Sequence, residues 1–208
     1  MYKNGMPRTA LSPEQIDAFR ERLVSAAMRL FARRGYEGVT LRAIAAELGC
    51  SPMTSYRYFR DKAAIFAAVR TAAYERFANA QEACREEAEE PAALLAALGR
   101  AYVRFALENP DAYRLMFELG QPDPEGFPEL RSAELRAISP LREAMERAVE
   151  AERVEGDPPI LTHVFWSGMH GIVSLHLAGK LAHGCAIDDL LEPVLQTLFV
   201  GNRPGGIT

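Results

Sequence analysis

Three scarcities narrow the reading at once. No run of about 18 apolar residues is present, so no membrane-spanning helix is expected. The opening MYKNGMPRTALSP has no apolar segment of the secretory kind, which points to the cytoplasm. Cysteine is rare: Cys50, Cys84 and Cys185 are odd in number, far apart and without C-x-x-C spacing, which excludes a disulfide framework and a structural zinc site. Cys50 reads as a small buried hydrophobe, or as a redox switch if it is exposed. Of the four histidines, His163 and His170 share one helical face and His176 and His183 another, with no carboxylate at ligand spacing, so no metal is expected.

Signatures of catalysis are missing as well. The chain has no G-x-S-x-G, no phosphate-cradling P-loop and no G-x-G-x-x-G. Ser167 and His170 lie one helical turn apart without an acidic side chain to orient the imidazole. No cofactor follows, and no enzymatic activity is expected.

What the chain does have is a composition that folds. Its 208 residues are 49% apolar and 25% charged, enough for one large domain or a small one plus a larger one. The net charge of -4 conceals a polarity. Residues 1–62 carry eleven Lys or Arg against six acids, a net of +5, and the remainder carries -9. One end is therefore suited to an anionic partner.

Residues 1–11, with Lys3 and Arg8 among Gly, Pro and Asn, show no period and read as a mobile arm. Ser12, Pro13 and Gln15 form a capping-box start. A helix then runs to Arg34 with Ile16, Phe19, Leu23, Ala27, Leu30 and Phe31 on one face and Gly35 as its stop. Thr40 caps a second helix with Leu41, Ile44, Ala45 and Leu48 as its apolar positions, and Gly49 supplies the left-handed turn. Ser51 and Pro52 open a short third helix ending near Phe59. Two short helices around a central Gly give a helix-turn-helix, although a plain helical hairpin would share the turn. The third helix offers Met53, Thr54, Tyr56, Arg57 and Tyr58, and no acid occurs from Cys50 to Arg60, as a phosphate-facing surface requires.

These residues carry a family resemblance. TLRAIAAELGCSPMTSYRYFRDKAAIFAAV is similar to the DNA-binding domain of the TetR family of bacterial transcriptional regulators through Thr40, Arg42, Ile44, Ala45, Leu48, Gly49, Ser51, Tyr56, Tyr58, Phe59 and Lys62, with Leu30, Phe31 and Gly35 upstream. The resemblance implies that Thr40, Ser51, Tyr56, Tyr58 and Lys62 touch phosphates and that Arg42, Met53, Thr54 and Arg57 sit at or near bases. Ser55 stands where the family often has an aliphatic residue packed under the recognition helix. Met53 replaces a frequent Gly or small residue and offers an apolar contact such as one with a thymine methyl.

Asp61 caps a fourth helix bearing Ile65, Phe66, Val69, Ala73, Phe77 and Ala80 as far as about Ala88. A domain boundary is expected at about residue 70 inside it, giving 12–70 as the helix-turn-helix domain and 71–208 as the effector-binding and dimerisation domain. Without a linker, movement at one end of this helix can reach the other. The acidic run Glu86, Glu87, Glu89, Glu90 precedes a helix with Leu94, Leu98, Tyr102 and Phe105 on one face. Asn109 and Pro110 cap a shorter helix with Tyr113, Met116 and Phe117, closed by Gly120, and GQPDPEGFP reads as a loop. The next segment runs from about Glu129 to Arg153, with Pro140 predicting a break or kink at Ser139.

The helix opened by Asp157 and Pro158 is apolar on most sides, so it should be buried all round. The last helix, about Ile187 to Val200, has a wide apolar stripe that needs covering. Both are expected to pair with a second copy in a four-helix interface through Ile172, Leu175, Leu191, Val194, Leu195 and Leu198. The run Phe165, Trp166, His170, Gly171 resembles the Trp-His-Gly effector-domain subgroup of the same family, which implies a ligand pocket in the C-terminal domain. Its expected walls are Tyr102, Phe105, Tyr113, Met116, Phe117, Phe165, Trp166, Met169 and His170, although a satisfied core histidine would fit the same spacing.

The sequence therefore reads as all-α, about nine helices, a three-helix DNA-binding domain followed by a helical ligand-binding and dimerisation domain. The expected function is a homodimeric, sequence-specific regulator on inverted-repeat double-stranded DNA, a repressor released by a small apolar or amphipathic effector. An enzyme or a structural interaction protein using the C-terminal cavity without operator binding are the alternatives.

Overall fold

A computed structural model describes residues 12–86, 88–117, 126–182 and 184–200. The expected arm, the Gly120 stop, most of the loop before Phe127 and His183 lie outside the described residues. Among the described residues there are nine α-helices and no strand. Two compact units meet between Val69 and Arg70.

The first unit holds α1 (Pro13–Arg34), α2 (Leu41–Glu47), α3 (Pro52–Tyr56) and the first turns of α4 (Lys62–Ala83). Local hydrogen bonds set where each begins. Ser12 Oγ accepts the Gln15 N–H while Gln15 Oε1 accepts the Ser12 N–H, a complete capping box. Thr40 Oγ1 accepts the Ala43 N–H at 3.1 Å, and Asp61 Oδ1 accepts the Ala64 N–H at 2.7 Å. Gly49, with φ 65°, takes the left-handed turn between α2 and α3. Leu23, Leu30, Phe31, Ile44, Ala45, Phe59, Ile65 and Phe66 form the core. Phe31 and Phe66 meet edge to face at 4.8 Å, and Tyr36 meets Phe66 at 4.9 Å. Ile16, expected on the buried face of α1, is 39% exposed in the first turn of the helix.

The second unit contains the rest of α4, a 3₁₀ turn (Cys84–Glu86), α5 (Pro91–Glu108), α6 (Pro110–Phe117), α7 (Pro128–Glu150), α8 (Pro158–Leu177) and α9 (Ile187–Val200). Glu90 caps α5, accepting the Ala93 N–H at 2.8 Å, so part of the acidic run serves a helix start. α5 is the central helix, packing against α6, α7, α8 and α9. Gly99 makes this possible: a Cβ there would lie 2.7 Å from Leu195 Cδ2 and 3.2 Å from both Met169 Sδ and Phe165 Cζ.

Three expectations about this unit are corrected. α7 runs without interruption through Pro140, which is buried, and no break falls at Ser139, whose hydroxyl donates to Glu143 at 3.0 Å. Proline removes one N–H bond from the ladder, and the packing of α7 on α5 and α8 holds the turns either side together. α8 is not buried all round, since Ile160 (61%), Val164 and Leu175 are exposed on one side of it. Ile172 and Leu195, expected at an intersubunit surface, are core residues of their own unit, 6% and 2% exposed. The Gly99 notch draws Leu195 inward, and Leu198 with Val194 closes over Gly168 of α8 in the same way.

Two stability measurements follow. Ser55 is fully buried and its Oγ has no hydrogen-bond partner. Ser55→Ala should therefore stabilise by about 1 kcal/mol, a rise of roughly 2–4 °C in a thermal melt. Gly99→Val should do the opposite, because three carbons enter a site that has no room for one, costing about 1–3 kcal/mol in a urea titration.

Candidate functional site

The helix-turn-helix presents one polar and aromatic surface. On α3, Met53 is 70% and Tyr56 53% exposed, and Arg57 at its C-terminal end is exposed too. Arg42 of α2 and the capping residues Thr40 and Ser51 are also exposed. Ser51 does not cap the α3 backbone through its side chain; its Oγ pairs with Thr54 Oγ1 at 3.1 Å. Thr54 and Tyr58 are half-buried, and the Tyr58 ring packs against Phe19 of α1 at 4.7 Å. Buried beneath them, Ser55 and Phe59 hold α3 to the core. Cys50 is half-buried in the turn.

Lys62 differs from the others. Its Nζ donates to the Tyr36 carbonyl at 3.1 Å and to Glu37 at 3.4 Å and sits 4.1 Å from the Tyr36 ring centroid. An ammonium has three protons, so it ties the α1–α2 connection to the start of α4 and keeps one donor for another acceptor.

A cavity of about 330 Å³ lies in the second unit. α4 contributes Tyr74, Phe77 and Gln81; α7 contributes Glu134, Ala137, Ile138 and Leu141; Tyr102, Phe117, His163 and Trp166 complete it. Three of the nine residues expected in its walls, Tyr102, Phe117 and Trp166, line it. Tyr113 and His170 stand one hydrogen bond behind Tyr102. The other four do not reach it. Phe165 and Met169 lie on the side of α8 that turns to Gly99 and α9, Phe105 stacks edge-on to Phe77, and Met116 lends its carbonyl to the Tyr74 hydroxyl. The α4 and α7 walls were missed, although Tyr74, Phe77 and Gln81 recur at a spacing of three to four residues on one helical face.

The polar groups behind this wall form a directed chain. Trp166 Nε1–H can only donate, and it donates to Tyr102 Oη at 3.2 Å. Tyr102 and Tyr113 hydroxyls lie 3.0 Å apart, and Tyr113 Oη is 2.7 Å from His170 Nδ1. With Tyr102 donating to Tyr113, and Tyr113 to His170, both hydroxyls and the Trp166 N–H are satisfied and the imidazole proton is left to Nε2. Burial pushes the Tyr113 hydroxyl up to about 12 and Tyr102 well above the usual phenol range, so both remain donors. The same burial lowers His170, keeping it the neutral acceptor that the chain needs.

Among the described residues no group of His, Cys, Asp and Glu could hold a metal ion, and no helix is long and apolar enough to cross a membrane.

Comparison with known proteins agrees at both ends of the chain. Residues 23–69 match the family model described as bacterial regulatory proteins, tetR family, and residues 95–198 match the tetracyclin repressor-like C-terminal domain. The HTH-type transcriptional repressor Rv1474c of Mycobacterium tuberculosis H37Rv is 31% identical over 164 residues, covering 74% of this chain and 78% of the relative. A protein of unknown function from Rhodococcus sp. RHA1 superposes with a TM-score of 0.78 at 26% identity, covering 96% of this chain and 100% of its own. The regulator FadR of Bacillus subtilis, solved in complex with stearoyl-CoA, shares the fold with a TM-score of 0.74 at 17% identity, covering 90% and 99%. The narrower Trp-His-Gly resemblance, carried by Phe165, Trp166, His170 and Gly171 with Leu175, Gly179 and the Asp157 helix start, is not confirmed by these matches.

Tyr102→Phe should leave the Trp166 N–H without an acceptor and cost about 1–3 kcal/mol in urea unfolding. The depressed His170 has a defined sign of pH dependence. As pH falls through the ordinary histidine value the unfolded chain takes up a proton that the folded one refuses, so this contribution is full above about pH 6.5 and lost below it. His170→Gln should flatten the fall in unfolding midpoint between about pH 7.5 and 5.5.

Proposed function

Because the chain belongs to the TetR family of bacterial regulatory proteins and is a DNA-binding transcriptional regulator, we propose that it acts as a dimeric repressor, released from its operator by a small ligand held in the cavity of the second unit. The observation that carries the DNA-binding half is the outward set Met53, Tyr56 and Arg57, with Arg42 beside them, on a stretch without a single acid from Cys50 to Arg60. In this reading Arg57 and Arg42 are the cations that sit at or near base edges. Thr40, Ser51 and Tyr56 offer exposed hydroxyls for the phosphate backbone, and Thr54 and Tyr58 flank them half-buried. Lys62 serves twice, locking Tyr36 and offering its remaining proton to a phosphate.

Dimerisation is assigned to α8 and α9. Ile160, Val164 and Leu175 leave an apolar column on α8, and the half-buried Leu191, Val194 and Leu198 continue it on α9. Two-fold pairing of these faces covers them and sets two α3 helices on an inverted repeat. The relative Rv1474c, named a transcriptional repressor, supports the sign of regulation, and the stearoyl-CoA held by FadR supports an apolar-bodied ligand in a helical domain of this fold. The largely aromatic and aliphatic lining of the cavity suits such a body.

An operator selected from random duplexes on the full chain, followed by fluorescence anisotropy, tests this reading. Arg57→Ala should weaken the selected operator by about 1–3 kcal/mol while changing mixed-sequence DNA little. Tyr56→Ala and Lys62→Ala should weaken both, and Lys62→Ala should also lower the melting temperature because Tyr36 loses its partner. Equal affinity for every duplex would sink the regulator reading.

A further inference from the structure

The cavity's hydrogen-bonding inventory is one-sided. Its donors are mostly committed: the Tyr74 hydroxyl to the Met116 carbonyl at 2.9 Å, Trp166 Nε1 to Tyr102, and the Tyr102 hydroxyl to the relay behind it. Its acceptors are not. Gln81 is 3% exposed and gives one of its two Nε2 protons to the Leu98 carbonyl at 3.3 Å, which leaves Oε1 as a buried acceptor, with one N–H beside it, at the cavity wall. His163 Nδ1 donates its proton to the Pro159 carbonyl at 2.8 Å, so that donor too is committed. Glu134 gives one carboxylate oxygen to Arg70 at 3.0 Å, and among the described residues its other oxygen has no bond.

Charge points the same way. Glu134 is the one carboxylate among the described lining residues, and Arg70, its counter-ion, stands behind the wall with a side chain 9% exposed. The Arg70 Nε that lacks a partner is sealed from solvent, so an incoming anion meets a carboxylate and no accessible guanidinium. A cation meets that carboxylate, the Gln81 oxygen and a box of five aromatic rings, whose π-clouds attract positive charge in a partly desolvated site.

We propose, on the reading of this cavity as the ligand site, that its ligand is an organic cation: an ammonium head that donates to Glu134 and Gln81, carried on an apolar body packed among Tyr74, Phe77, Phe117 and Trp166. Neutral amphipaths of the same shape fit the box without the charge term. Carboxylate-headed ones are disfavoured by Glu134.

Calorimetry on the full chain at about pH 8, where an alkylamine is still protonated, with 4-phenylbutylamine, 4-phenylbutan-1-ol and 4-phenylbutanoate decides the matter. The amine should bind about tenfold more tightly than the alcohol, and the carboxylate most weakly. Glu134→Gln keeps an oxygen for Arg70 and should erase the advantage of the amine, weakening the amine far more than the alcohol; Phe77→Leu should reduce the advantage without touching the ion pair. A carboxylate that binds as well as the amine, an amine indifferent to both substitutions, or binding of none of the three would overturn the proposal. Ile138→Trp, which fills the cavity, separates the two readings. If it abolishes binding of an alcohol that the amine does not surpass, the cavity stands as the site and the cation falls; if binding of all three survives it, the cavity reading falls too.

Discussion

Tyr102 carries a hydroxyl into an apolar helical core, and the second unit is built around satisfying it. A buried hydroxyl without a partner costs about 1–3 kcal/mol, more than the roughly 1 kcal/mol that a typical hydrogen bond contributes in net terms. Here Trp166 of α8 donates to it and Tyr113 of α6 accepts from it, and His170 of α8 ends the chain behind Tyr113. That chain fixes the orientation of α5, α6 and α8 about one point, stiffens one wall of the cavity and commits its strongest donors inward. What the cavity can still recognise is decided by what this network leaves over.

The opposite wall obeys a different rule. α4 and α7 bring aromatic and aliphatic side chains together with one ion pair, Arg70–Glu134. Outside the cavity α7 is tied to α4 by Arg136 with Glu82 and Asn79, and to the 3₁₀ turn after α4 by Glu143 with Arg85, at 2.6 to 2.9 Å. Pairs this exposed add little stability one by one. Their geometric effect is to keep α4 and α7 in register across a space that side chains do not fill.

In the first unit the constraint is brevity. α3 has five residues, too few to be stable as a helix by itself, so its existence depends on Ser55 and Phe59 beneath it and on the turn at Gly49. Ser55 is an awkward choice for that role, since its hydroxyl is buried without a partner where an aliphatic side chain would pack. The stacking of Tyr58 on Phe19 and of Lys62 on Tyr36 supplies part of what Ser55 withholds.

The sequence by itself determined where helices begin, because a cap is an interaction between residues three apart: Ser12 with Gln15, Thr40 with Ala43 and Asp61 with Ala64 are all legible as strings and all present. It also determined the helix-turn-helix, whose Gly and core positions fall within twenty residues. Tertiary structure alone decided which apolar residues face what. A helical period marks a face but not its neighbour, so Phe165 and Met169 looked equivalent to Trp166 until Gly99 let α9 approach and drew them to the other side. For the same reason Leu195 became core where an interface was expected, and Tyr74 and Phe77 came to line the cavity unannounced. Pro140 completes the contrast, because whether a proline breaks a helix depends on the packing that holds its flanking turns, and that packing comes from residues distant in the chain.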